Sequence, residues 1–142
     1  MGSRPRVPFT GAHIRQSVIG AVHPATGEID CLIVPEVDAE IFQLFLDQFA
    51  QTTRDRNRNI VLVLDNASWH KCKKLNWHHI TPMYLPTYSP DLNPIERLWA
   101  QVKSNFFADW FAKSHEQLTE RLIHALRYFI NHKESVAQTC AV

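Results

Sequence analysis

Asp65 and Glu96 are the residues around which chemistry can be organised. Asp65 ends a run of five apolar residues, Ile60, Val61, Leu62, Val63 and Leu64. Such a run reads as a strand buried on both faces, with the acid at its carboxyl end. Open α/β sheets place their reactive groups at that end. Glu96 follows a Pro-rich stretch that runs into an amphipathic segment, which puts it in the first turn of a helix. Thirty residues, positions 66 to 95, separate the two acids. Carboxylates brought together by a strand end and a helix start are ligands of the kind that hard divalent cations take.

The elements that must position this pair can be read along the chain. Residues 1–12 form a basic, Pro-containing connector ending near Gly11. Ile14, Val18, Ile19 and Val22, a turn over 24–27 and a β-rich run over 29–37 predict an antiparallel hairpin. From Asp38, an N-cap, the period becomes helical through Ile41, Phe42, Phe45, Leu46 and Phe49, with Glu40 in the first turn. The strand 60–64 follows, then a short helix within 67–78 and a strand over 80–85, edge or kinked because Pro82 cannot donate to a ladder. Three prolines pre-set the loop 86–94. Asn93 as N-cap and Pro94 at the first helical position open a helix with the stripe Ile95, Leu98, Trp99, Val102 and Phe106. A last helix starts at Ser114, with Gln117 as capping-box partner, and buries Leu118, Leu122, Ala125, Leu126 and Phe129. The domain is expected to span 13–132, with 133–142 as a tail. The order of elements is that of an α/β fold with a mixed sheet.

Composition narrows the classes. A chain of 142 residues with 45% hydrophobic and 20% charged content can bury a core, which excludes disorder. A net charge of +1 supplies no global field toward nucleic acid, so any such attraction is local. Three cysteines, Cys31, Cys72 and Cys140, suit a reducing compartment better than a disulfide framework. No apolar run has membrane-spanning length and no signal peptide is evident, so a soluble, cytoplasmic protein is expected.

The motif DNASWH at 65–70, the block LPTYSPDLNPIERLW at 85–99 and the following Lys103 resemble the catalytic domain of mariner-superfamily DDE transposases, in their bacterial insertion-sequence branch. The resemblance covers nearly the whole chain. It implies an RNase H-like fold, a DDE endonuclease in which three acids bind two divalent cations, Mg²⁺ or Mn²⁺, and DNA transposition by strand cleavage and joining. Displacement at a phosphodiester needs one cation near the attacking oxygen and one near the leaving oxygen. Asp65 takes the second acidic position and Glu96 the third, both as catalytic metal ligands. Asn66 and His70 edge the site. Lys71, Lys73, Lys74, Arg97 and Lys103 flank it as contacts to the phosphates of transposon-end or target DNA.

The family's first Asp lies on a strand upstream of the hairpin, and nothing equivalent precedes Arg4. The expected fold is therefore an RNase H-like mixed sheet with flanking helices that lacks the first, central strand. Ladder groups on both sides of that slot would be left unpaired. Activity would then need the strand and its Asp from an upstream transposase polypeptide or a frameshifted fusion. The alternative is an inactive remnant that only binds DNA or protein, and a homo-oligomer is open to either. Asp30, with 34 residues (31 to 64) before Asp65, mimics a family spacing but falls on the solvent face of a hairpin strand.

Each site residue has a plainer reading. Glu96 suits the third position of a capping box, and Asp65 with Asn66 suits a turn after a strand. His70 can be a first-turn residue of a helix, and the basic residues a solvated face. His70, Cys72, His78 and His79 match no closed zinc spacing. Trp69, Trp77, Trp99 and Trp110 read as packing rather than base-stacking residues.

Overall fold

The structure, a computed structural model, describes residues 2–4, 9–11, 14–54, 60–64, 73–86 and 93–141. The hairpin forms as its pattern demands: β3 (Ile14–His23) and β4 (Glu28–Val34) pair antiparallel from Ser17↔Val34 to His23↔Glu28. Gly27, at φ 78, closes the turn, its amide donating to the His23 carbonyl at 2.8 Å. β5 (Ile60–Leu64) and β6 (Ile80–Tyr84) pair parallel and in register. β6 ends the strand order, where Pro82 needs no outer partner.

The centre of the sheet differs from expectation. A short β1 (Gly2–Arg4) lies between the halves, antiparallel to β3 through Gly2↔Val22 and parallel to β5 through Gly2↔Val63. β2 (Phe9–Gly11) continues along β3, giving the order β2-β3-β1-β5-β6 with β4 on β3. The slot expected to be empty is thus filled by part of the segment read as a connector. Three residues with no apolar period give no strand signal in sequence; it is the unpaired edges of β3 and β5 that provide for them.

Alternate residues of β3 face opposite cores. Ile19 and Ala21 join α1 (Ala39–Thr53), whose Phe42, Phe45, Leu46 and Phe49 are fully buried with Leu62 and Leu64. Each such side chain contributes about 1.5–3 kcal/mol of burial. The Asp38 carboxylate accepts from the Ile41 amide at 2.9 Å, so this cap forms as predicted. Val18 and Val22 join the other layer, made of α2 (Ile95–Phe106), α3 (His115–Ile130) and α4 (Lys133–Thr139). Ser114 caps α3 by accepting from the Gln117 amide at 3.1 Å. Gln117 returns its side-chain oxygen to the Lys113 amide at 2.6 Å, one residue earlier than a capping box would. The five apolar residues expected on α3 are those it buries.

Three further expectations change. β5 alternates rather than being buried on both faces: Ile60, Leu62 and Leu64 are covered by α1, whereas Val61 is 38% exposed. The reason is that α2 packs over β3 and β1, leaving that face of β5 and β6 less covered. Residues 73–79 form turns instead of a helix, and 67–72 lie outside the described residues. The stretch read as a tail holds α4, whose Val136 and the following Cys140 are fully buried.

Candidate catalytic and nucleic-acid site

The carboxyl end of the β5–β6 pair and the start of α2 define the site region. Leu64 and Tyr84 are register partners, and the Leu85 amide donates to the Leu64 carbonyl at 2.8 Å, so both strands finish together. Asp65 is the next residue in sequence, but Asp65, Asn66, His70 and Lys71 lie outside the described residues. From β6 the chain reaches α2 through the Pro-rich loop.

At the start of α2, Pro94 has helical torsion angles, φ −55 and ψ −30, as its fixed φ favours. The Asn93 carbonyl accepts from the Glu96 amide at 3.0 Å, while the Asn93 side chain lies 3.5 Å from the Ile95 amide. Asn93 is buried and acts as a weak side-chain cap. Glu96 is half-buried in the first helical turn, where the helix dipole favours the ionised carboxylate.

What seats Glu96 is Trp99, one turn further on and 2% exposed. Gly20 lies between Val18 and Val22 on the face of β3 that meets α2. A Cβ on Gly20 would stand 2.7 and 2.8 Å from two carbons of the Trp99 ring. The indole fills a notch that only glycine leaves open, and Gly20 pairs with Arg4 of β1. The helix carrying Glu96 is thereby fixed over the middle of the sheet. Sequence held the signal, because an isolated glycine inside a strand marks a close approach.

The basic residues divide. Lys73 and Lys74 are exposed in a turn after β5, and Lys103 is exposed seven residues beyond Glu96, on the same face of α2. Arg97 is exposed but already committed in part: one guanidinium nitrogen donates to the Ala141 carbonyl at 2.6 Å, tying the end of α4 to the start of α2. Asp30, on β4, stands opposite Ala21 of β3, and two strands, β3 and β1, lie between it and β5. Trp77 meets Phe42 edge-on at 5.7 Å, and Trp110 lies under the Arg121 guanidinium at 5.3 Å, both as packing residues. Trp69 is outside the described residues.

Among the described residues no three His, Cys, Asp or Glu side chains gather as a metal site. The donors that the sequence reading names, Asp65 directly after β5 and Glu96 in the first turn of α2, are carboxylates, which fits a hard cation such as Mg²⁺ in kind. β1 adds no third carboxylate, since its residues are Gly2, Ser3 and Arg4 and the first acid in the chain is Glu28. No helix among the described residues is long and apolar enough to cross a membrane.

The architecture is RNase H-like: it matches the catalytic domain of the Mos1 mariner transposase with a TM-score of 0.68 at 16% identity, over 98% of this chain and 77% of that one. A Mos1 strand transfer complex matches with a TM-score of 0.59 at 17% identity, over 94% and 45% of the two chains. The chain belongs to the DDE superfamily endonucleases, whose family model matches residues 1–119. It is 34% identical over 102 residues to an uncharacterized protein, y4pE/y4sA, of Sinorhizobium fredii, covering 71% of this chain and 75% of that protein. It is 29% identical over 128 residues to the uncharacterized 39 kDa protein of insertion element IS630 from Shigella sonnei, covering 87% and 37%. The chain thus spans three quarters of one relative and little more than a third of the other.

Proposed function

We propose that this chain is the catalytic-domain part of an insertion-sequence transposase, in which Asp65 and Glu96 hold divalent cations against a DNA phosphodiester. The observation that carries the reading is the family match, which takes in both acids within residues 1–119. The geometry supports it: β5 and β6 end together, and α2, which carries Glu96, is seated by Trp99 over Gly20.

Bound ions, Mg²⁺ or Mn²⁺, supply activation of the attacking oxygen and charge stabilisation at the leaving oxygen. The remaining work belongs to side chains. Glu96, at a helix start, keeps its carboxylate ionised for ligation, and Asp65 offers the second carboxylate. Asn66 and His70 edge the site as hydrogen-bonding groups. Lys71, Lys73, Lys74 and Lys103 hold the DNA backbone by phosphate contacts, and Arg97 adds the guanidinium donors not used on Ala141. The third acid comes from an upstream transposase polypeptide.

The test is nicking of DNA bearing element ends by the purified chain in Mg²⁺ or Mn²⁺, with and without that polypeptide. Nicking is expected only in the mixture and is lost in Asp65→Ala and in Glu96→Ala. Nicking by the chain alone that survives both substitutions refutes the assignment. A second reading, a remnant that binds DNA or competes with intact transposase without catalysis, is favoured by the absence of a carboxylate from β1. Nicking by neither preparation would establish that reading instead.

A further inference from the structure

The turn at 75–79, just downstream of the Asp65 segment, is fastened to α1 at several points. The Gln43 side-chain amide makes two hydrogen bonds to the backbone of Asn76, its nitrogen donating to the carbonyl at 3.0 Å and its oxygen accepting from the amide at 2.7 Å. This copies the exchange two strands make, with a side chain as the second strand. The same Gln43 nitrogen donates to Asp47 at 2.8 Å, and Asp47 lies 2.7 Å from His78 Nε2. His78 adopts φ 55, a left-handed conformation that non-glycine residues rarely hold without support. That support comes from Asp47 and from the Asn76 side chain, which accepts from the His78 amide at 3.0 Å. Below these, Trp77 and Leu75 pack against the α1 core, and His79 Nε2 meets the buried Thr53 hydroxyl at 2.8 Å.

Packing alone explains Leu75, Trp77 and Thr53, but not the polar set of half-buried Gln43 and exposed Asp47, Asn76 and His78. Gln43, Asp47, Asn76 and His78 add little burial, yet they fix both the path and the torsion angles of a turn that begins two residues after Lys73. Lys73 and Lys74 therefore stand directly before a turn that is fixed to α1. We infer that Gln43 and Asp47 are positioning residues, which set where the basic segment containing Lys73 and Lys74 stands relative to the carboxyl end of β5. The inference rests on the DNA-binding reading proposed above.

The test measures amide hydrogen exchange and DNA affinity separately in wild type, Asp47→Asn, Gln43→Met and a Lys73→Ala/Lys74→Ala double variant. At near-constant shape, Asp47→Asn removes the charge that strengthens the bonds from His78 and Gln43, and Gln43→Met removes both bonds to the Asn76 backbone. Asp47→Asn and Gln43→Met should each speed exchange over 75–79 by about tenfold, the size of one charge-assisted hydrogen bond. They should also weaken binding to duplex DNA and flatten its salt dependence, as the double lysine variant does, while the thermal midpoint moves little. A general loss of folding would not flatten the salt slope at unchanged midpoint. Unchanged exchange at 75–79 would overturn the latch itself. Faster exchange with unaltered DNA affinity, where the lysine variant does lose affinity, would overturn the positioning role. Equal affinity of wild type and the lysine variant would refute the DNA reading instead, and it is told apart because exchange is read without DNA.

Discussion

Gly20→Ala tests whether the sheet positions Glu96 through Trp99. The added Cβ would stand 2.7 Å from one ring carbon and 2.8 Å from another, against an optimum of about 3.5–4.0 Å between carbons. Either the indole tilts or α2 lifts by close to an ångström. Overpacking of this kind costs about 1–3 kcal/mol. Replacing a strand glycine also restricts the unfolded chain, which returns roughly 0.5–1 kcal/mol. The net expectation is a loss of about 1–2 kcal/mol, or on the order of 3–8 °C in the midpoint for a chain of this size. Urea unfolding of Gly20→Ala, Trp99→Phe and the double variant gives the coupling. Trp99→Phe opens space and also removes an indole N–H that is buried without an acceptor among the described residues, so its own cost is moderated. The double variant should recover about 1 kcal/mol relative to additivity. A Gly20→Ala protein as stable as the parent, or strict additivity, would refute the seating argument.

Gly27→Ala should cost about 2 kcal/mol or more by thermal melting, since Gly27 has φ 78 and a Cβ there would collide with the Lys133 carbonyl. Val136→Ala should cost about 2 kcal/mol in the same assay, because the side chain is fully buried against the α3 layer. Asp47 is held below its ordinary value by hydrogen bonds from His78 and then Gln43. A depressed carboxylate contributes stability above the unfolded-state value, about 3.9, and loses it as pH falls through the folded one. Asp47→Asn should therefore flatten the stability profile below about pH 4, slightly, because the group is exposed; urea midpoints from pH 2 to 6 read it. Burial pushes the thiols of Cys31 and Cys140 up to about 11. At pH 8 only about a thousandth of either is thiolate, so both should react with a thiol reagent far more slowly in the folded than in the unfolded chain, the half-buried Cys31 less protected than the buried Cys140.

What sequence revealed followed from periodicity and caps. Asp38, Ser114 and the stripes of α1 and α3 stand where a 3.6-residue period and short polar side chains put them, because those signals are local. What it concealed depends on contacts between distant residues. α4 has too few apolar positions, Val136 chief among them, to display a period. The exposed Val61 reflects how far α2 reaches across the sheet, which no run of apolar residues encodes. Gln43 and Asp47 look like ordinary solvent-face residues of a helix until Asn76 and His78 arrive beside them. For the site, sequence supplied the residue types and family at Asp65 and Glu96, while the seat made by Gly20 and Trp99 needed the fold.

The two cores use different stretches of chain, and this matters during synthesis. The α1 side draws its buried members from Ile19 to Ile80, whereas the Trp99 side is complete only with Cys140. A ribosome releasing this chain in order would let the α1 layer close first. The Gly20 notch and its valine neighbours would meanwhile stay uncovered for some sixty further residues (81 to 140). That apolar strip on a half-made sheet is the surface that a nascent-chain chaperone would meet, and variants that slow the docking of α4 should lower soluble yield before they alter the finished protein.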